Sequence, residues 1–231
     1  MDIELNNEED IFISRYEALK SEVLVMKKEQ KKLFITSSFQ TQSLPLLHMI
    51  SRVDASIPVM FMDTGYLFPE TYLFVEQLTK ELGLNVIRIK PSQTLFEQTN
   101  KNGRFLFSED NELCCRLNKV LPLQQAYQGY DVWISGIRAD QSATRAQKQR
   151  FEQNKDGLIR YHPMLEWTAK DIFLYRRKYH LPEHPLESKG YLSVGCIPCT
   201  ERYLDSGGTD LRSGRWQGLK KNECGLHTEL K

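Results

Sequence analysis

No apolar run in the 231-residue sequence approaches the roughly 20 residues that span a bilayer. The opening residues, MDIELNNEED, are acidic and polar, the opposite of a secretory signal. Net charge is only +1, so no global field draws the chain to nucleic acid or to a membrane, and any anion site must be local. There is no internal repeat and no linker that would mark off a second large domain. The G-x-x-x-x-G-K-[ST] spacing of a Walker A loop is missing too, which removes support for ATP-driven phosphoryl transfer. These absences leave a cytoplasmic globular protein, long enough for one α/β domain with a full core.

Short β-type runs alternate with helical stretches. Lys32–Thr36, Ile57–Asp63, Asn85–Lys90 and Asp131–Ser135 read as buried strands. Between them Ser43–Val53, Pro69–Gly83 and Glu109–Tyr127 read as helices, with Pro69 suited to a first turn and Gly83 to an end. Glu8–Met26 and Trp167–Tyr179 add two more. The alternation predicts a mostly parallel sheet covered on both faces, with ligands beyond the carboxyl ends of its strands. Three parts are expected: a helical extension (1–30), a nucleotide-binding domain (31–200) and a mobile tail (201–231).

Five cysteines in a reducing compartment suggest ligands or catalytic thiols rather than disulfides. Cys114 and Cys115 are adjacent, and Cys196-Ile-Pro-Cys199 follows far downstream. Four thiolates suit zinc or an iron–sulfur cluster, and buried apolar filling is the plain alternative. Neighbouring Cα atoms lie about 3.8 Å apart, so an adjacent pair meets one tetrahedral ion with difficulty. A cluster gives each thiolate its own metal atom. The fifth cysteine, Cys224, stands in a polar tail, KKNECGLH, where a thiol has little packing value.

After the first strand, TSSFQTQS (Thr36–Ser43) runs straight into a helix, a natural anion seat, although such loops are more often simple caps. The second strand ends in MDTGYLFPETY, placing Asp63, Thr64 and Gly65 where a ligand would lie, with Thr64 and Gly65 merely turning the chain as the plain alternative. Lys119 follows Cys115 by four residues, about one helical turn. Arg138, Arg145, Arg212 and Arg215 follow a strand end or flank glycines, better positions for anion contacts than a solvated surface.

With these pieces in view, the sequence resembles the assimilatory adenylyl-sulfate and phosphoadenylyl-sulfate reductases. The resemblance runs from about Phe34 to His227 and rests on SSFQTQS, DTGYLFPETY, CCRLNKVLPL, WISGIRADQS, GYLSVGCIPCT, GRW and ECGLH. It implies an adenine-nucleotide α-hydrolase-like (Rossmann-like) α/β fold. It further implies a [4Fe-4S] cluster on Cys114, Cys115, Cys196 and Cys199, with Cys224 as nucleophile. Ser37 and Ser38 would lie by the nucleotide phosphate, and Met62, Asp63, Thr64 and Gly136 by the rest of the nucleotide. Lys119, Arg138, Arg212 and Arg215 would surround the phosphosulfate, with His227 in support.

The implied reaction is attack of the Cys224 thiolate on the phosphosulfate sulfur, giving an S-sulfo-cysteine that thioredoxin, or glutaredoxin in its place, resolves to sulfite. Assembly into a homo-oligomer is compatible with the pattern. Two departures stand out. SSFQTQS is closer to the loop of cluster-free enzymes that use the 3′-phosphorylated nucleotide, and the usual Arg-Lys after the cysteine pair is Asn118-Lys119. The cluster signature points to adenylyl sulfate, with phosphoadenylyl sulfate as the alternative. A sulfate adenylyltransferase subunit, a pyrophosphatase of the same fold, or a nucleotide-binding metal sensor without turnover are the rivals, and none of them needs Cys224.

Overall fold

The computed structural model describes the backbone of residues 2–205, 213–216 and 225–228, and side chains from residue 11 onward within 11–204, 213–216 and 225–226. Helix α1 (Asp2–Lys28) leads into β1 (Leu33–Thr36), α2 (Leu44–Asp54), β2 (Val59–Met62), α3 (Pro69–Leu82) and β3 (Val86–Ile89). Short helices α4 (Leu106–Glu109), α5 (Asn111–Cys115) and α6 (Leu121–Ala126) precede β4 (Val132–Ser135). Then come α7 (Ala143–Ala146), the strands β5 (Phe151–Gln153) and β6 (Ile159–Tyr161), α8 (Ala169–Lys178) and the single turn α9 (Gly225–Thr228).

The strands form one sheet in the order β3-β2-β1-β4-β6-β5, parallel except for β5. The apolar runs dictate this. Phe34, Ile35, Val59, Trp133 and Ile134 expose essentially nothing, as a strand covered on both faces requires. Alternate side chains serve two cores: Ile35, Val59, Phe61 and Ile134 meet α2 and α3, while Phe34, Met60 and Trp133 meet α6. Helix α1 contributes Phe12, Leu19, Val23 and Met26 to the first of these cores. Pro69 opens α3, and Gly83 closes it at φ 63°, a left-handed conformation that glycine adopts at little cost. β3 departs from the expectation of a buried strand: it is the sheet's edge, with Ile87 and Arg88 exposed.

The functional consequence lies in the order of strands. The chain winds outward from β1 through β2 to β3, then returns to lay β4 on the other side of β1. Their ends are level, Thr36 opposite Ser135, so Ser37 and Gly136 leave the sheet side by side. That reversal opens the crevice in which ligands of such sheets bind. Among the described residues no helix is long and apolar enough to cross a membrane.

Candidate active site

A cavity of about 210 Å³ occupies this crevice, and Ser37, Ser38, Met62, Lys119, Gly136 and Arg215 all line it. The loop after β1 is pinned from below. Phe39 takes φ 54° with its ring fully buried edge-on to Phe61, and its N–H donates to Ser37 Oγ at 3.0 Å. Gln40 Nε2 donates to Ser38 Oγ at 3.1 Å, while its Oε1 accepts from the Val194 N–H at 3.0 Å. The phosphate-type loop is thereby tied to the segment that leads into Cys196. Opposite, Ser135 Oγ lines the cavity without a hydrogen-bond partner among the described residues.

Asp63 and Thr64 lie behind the wall instead of in it. Asp63 accepts from Tyr72 Oη at 2.6 Å and from the Gly65 N–H at 3.3 Å. Thr64 is fully buried, with Oγ1 3.3 Å from Cys196 Sγ. Of the three strand-end residues, Met62 faces the cavity.

The four cysteines of the pattern come together. Cys114 and Cys115 end α5, and Cys196 and Cys199 flank a 3₁₀ turn, each with less than a tenth of its surface exposed. Polar side chains reach three of them: Thr64 pairs with Cys196, Asn111 Nδ2 donates to Cys199 Sγ at 3.3 Å, and Asn118 Nδ2 lies 3.7 Å from Cys114 Sγ. Burial pushes the Cys114 thiol up to about 12, and Cys115, Cys196 and Cys199 add to the shift. Burial acts the same way on Cys196, but Lys119, Thr64 and Arg215 outweigh it and leave that thiol below its ordinary value. The thiols therefore sense one another and two cations. Yet among the described residues no three His, Cys, Asp or Glu side chains form a set for a single metal ion.

Lys119 acts on Cys114 and Cys196 and lines the cavity from a point where the helix is wound wide. Arg116–Val120 form a π turn between α5 and α6, a feature often found at functional sites. Buried Asn118 holds it: its Nδ2 donates to the Cys114 carbonyl at 2.9 Å, and its amide pairs head-to-head with that of buried Gln98. Arg215 is fixed just as firmly. Its Nε donates to Cys199 O at 3.0 Å and Nη1 to Val194 O at 3.2 Å, with the guanidinium 4.6 Å over the Trp216 ring. It lies flat on Gly195, where any Cβ would collide with it.

Arg138 lies elsewhere. It is 1% exposed, outside the cavity lining, and neutralised by Asp140 at 2.9 Å. Arg145, on α7, lines the cavity. Arg212 and Cys224 are outside the described residues, and of His227 only the backbone is described, in α9. Gly225 and Leu226 are buried, and Leu226 packs on Val120 and Leu123 while lining the same cavity as Ser37 and Lys119.

A family model described as the phosphoadenosine phosphosulfate reductase domain matches residues 32–202, from the start of β1 to just past Cys199. The chain belongs to this family. Its curated relatives include an adenosine 5′-phosphosulfate reductase of Chelativorans sp. (strain BNC1), 42% identical over 192 residues, 83% of this chain and 77% of that one. Adenosine 5′-phosphosulfate reductase 1 of Bacillus subtilis (strain 168) is 39% identical over 198 residues, 85% and 84% of the two chains. Among solved structures, a phosphoadenylyl-sulfate reductase of Candida auris in complex with phosphate superposes with TM-score 0.67 at 26% identity, covering 79% of this chain and 88% of that one. Yeast FAD synthetase, at 16% identity and TM-score 0.60 over 85% and 67% of the chains, shares the fold alone. The nucleotide-hydrolase-like architecture expected from the sequence is the one found.

Proposed function

We propose that the protein reduces adenylyl sulfate to sulfite and AMP, with thioredoxin as electron donor. The observation that carries this reading is the convergence on one cavity of the loop after β1, Lys119, Arg145, Arg215 and Leu226, two residues beyond Cys224. The names of the relatives support the 5′-phosphosulfate as substrate.

In this reading Ser37 and Ser38, with the N–H groups of their turn, receive the nucleotide phosphate, and Met62 and Gly136 flank the nucleoside. Asp63, Thr64 and Arg138 act from behind. Lys119, Arg145 and Arg215 offset the repulsion between a thiolate and a polyanion. The Cys224 thiolate attacks sulfur, a Cys–S bond forms, and the bridging S–O bond breaks with its electron pair leaving on AMP. A thiolate of the dithiol donor then attacks Cys224 Sγ and sulfite departs with the electron pair of the broken S–S bond. The donor's second thiol resolves the mixed disulfide, so the donor supplies both electrons. His227 and Arg212 belong to the same tail and support the nucleophile and the departing group.

Four buried thiols, polar side chains within hydrogen-bond reach of Cys114, Cys196 and Cys199, and cations beside them are a donor set suited to a polynuclear group. Cys114, Cys115, Cys196 and Cys199 would hold a [4Fe-4S] cluster, which supplies a fixed charge and a cross-link between α5 and the Cys196 loop.

Sulfite release from anaerobically purified protein with reduced thioredoxin, comparing adenylyl and phosphoadenylyl sulfate, tests the substrate. A preference for the first above about tenfold in kcat/KM, some 1.4 kcal/mol in transition-state binding, is expected. Comparable or reversed values would assign the 3′-phosphate to the SSFQTQS loop.

A further inference from the structure

Arg138 is nearly sealed from solvent and does not line the cavity, yet it sits at the head of a chain of side chains that ends there. Its Nε and Nη2 donate to Asp140 at 2.9 and 3.3 Å, and Nη1 donates to Gln42 Oε1 at 3.0 Å. A guanidinium can only donate, so the Gln42 amide must turn its oxygen toward Arg138. That same oxygen accepts from Gln141 Nε2 at 3.0 Å. The second amide is thereby fixed as well, and Gln141 Oε1 must point the other way. There it accepts from the Arg138 backbone N–H at 3.1 Å and from Arg145 Nη1. Arg145 is 7% exposed and contributes to the cavity wall.

Every link has one polarity, set by a group that cannot reverse. Turning Gln42 over would place its NH₂ against the Arg138 guanidinium, and turning Gln141 over would place an NH₂ against Arg145. Each reversal sets donor against donor in a buried place. The chain also joins two segments far apart in sequence, the turn that opens α2 and the turn before α7.

We infer that Arg138, Gln42 and Gln141 form a one-directional relay that aims the Arg145 guanidinium at the substrate's anionic group. Gln141 is the positioning residue in contact with Arg145, and Arg138 acts through it. The inference rests on the functional reading above, with adenylyl sulfate as the anion.

A double-mutant cycle tests it. Gln141→Leu should raise the KM for adenylyl sulfate about tenfold, the scale of one lost charge-assisted hydrogen bond, with kcat changed less than about threefold. In an Arg145→Ala background the same substitution should change KM by less than about twofold, because nothing remains to be aimed. Gln141→Glu keeps an acceptor facing Arg145 but sets a carboxylate oxygen against Gln42 Oε1, so it should recover only part of the loss. An equal KM effect in both backgrounds would overturn the relay, since Gln141 would then act on substrate directly. A second readout needs no turnover: NMR of the Arg145 side-chain nitrogens should show slower guanidinium rotation in the wild type than in Gln141→Leu. Equal rotation in both would overturn the relay even if the kinetics moved. Wild-type protein that releases no sulfite would break the functional reading, while the NMR comparison still decides the relay.

Discussion

The two walls of the cavity are built on opposite principles. On the strand wall, the loop after β1 and the turns before α7 satisfy their own polar groups through short-range amide and hydroxyl bonds, and Ser135 Oγ is the exception. On the cysteine wall, four thiols press on one another, and Tyr66 Oη and Asn111 Oδ1 are buried without hydrogen-bond partners among the described residues. A self-satisfied wall needs no guest and can serve as a template. Crowded thiols and orphaned polar atoms are what a bound group would complete. In the proposed reading, nucleotide recognition and chemistry would be divided between a preformed surface and one that a bound group completes, with Lys119 and Arg215 lining the cavity between them.

The largest effect should come from the cysteine wall. Cys196→Ser should leave protein without iron and without sulfite production, measured by metal analysis and anaerobic turnover. Iron retained at wild-type level would erase the contrast between the walls. Lys119→Ala should follow. With its charge removed from beside the reacting group, kcat/KM should fall by about 10²- to 10³-fold, roughly 3–4 kcal/mol, with AMP affinity nearly unchanged. If AMP binding weakens as much as turnover, Lys119 serves the nucleotide and not the transfer. Ser37→Ala, on the strand wall, should do the reverse, raising KM several-fold through one lost hydrogen bond while leaving kcat in place.

Outside both walls, effects should fall on stability alone. His162 is fully buried and burial, with Arg160 adding, holds it down to about 4, while burial alone brings His184 to about 4. Above pH 6.5 both are neutral in either state and their contribution is complete. Between 6.5 and 4 the unfolded chain takes up protons that the folded chain refuses. Stability should therefore fall by up to about 3 kcal/mol per histidine across that window. Urea midpoints that stay flat from pH 7 to 5 would contradict this. Smallest of all, Gly83→Ala meets open space but must adopt φ 63°, costing about 1 kcal/mol and no activity.

Much of the fold was legible because its strands are short apolar runs bounded by turn formers, and the Pro69 and Gly83 signals bracket α3 as expected. β5 and β6 escaped notice because Phe151–Gln153 and Ile159–Tyr161 are three residues each and carry polar or charged members that no alternation flags. Thiol chemistry and spacing singled out Cys114, Cys115, Cys196 and Cys199, and the structure buries all four. The π turn was not legible, since it depends on Asn118 finding Gln98 across the fold. The choice between Arg138 and Arg145 was equally hidden: both follow a strand end, and only the partner each meets in space separates the neutralised one from the one at the cavity. Asp63 and Thr64 sit at a strand end as read, but just past β2 their side chains turn to Tyr72 and Cys196, and Met62 lines the cavity instead.

The central claim is that one cavity receives both the nucleotide and Cys224. Mass spectrometry of the C-terminal peptide, after incubation with adenylyl sulfate and no thiol donor, tests it most directly. The account predicts one sulfo group on Cys224 and one AMP released per chain, with the adduct removed by reduced thioredoxin as sulfite. AMP release without an adduct, or an adduct on any of the other four cysteines, would contradict it.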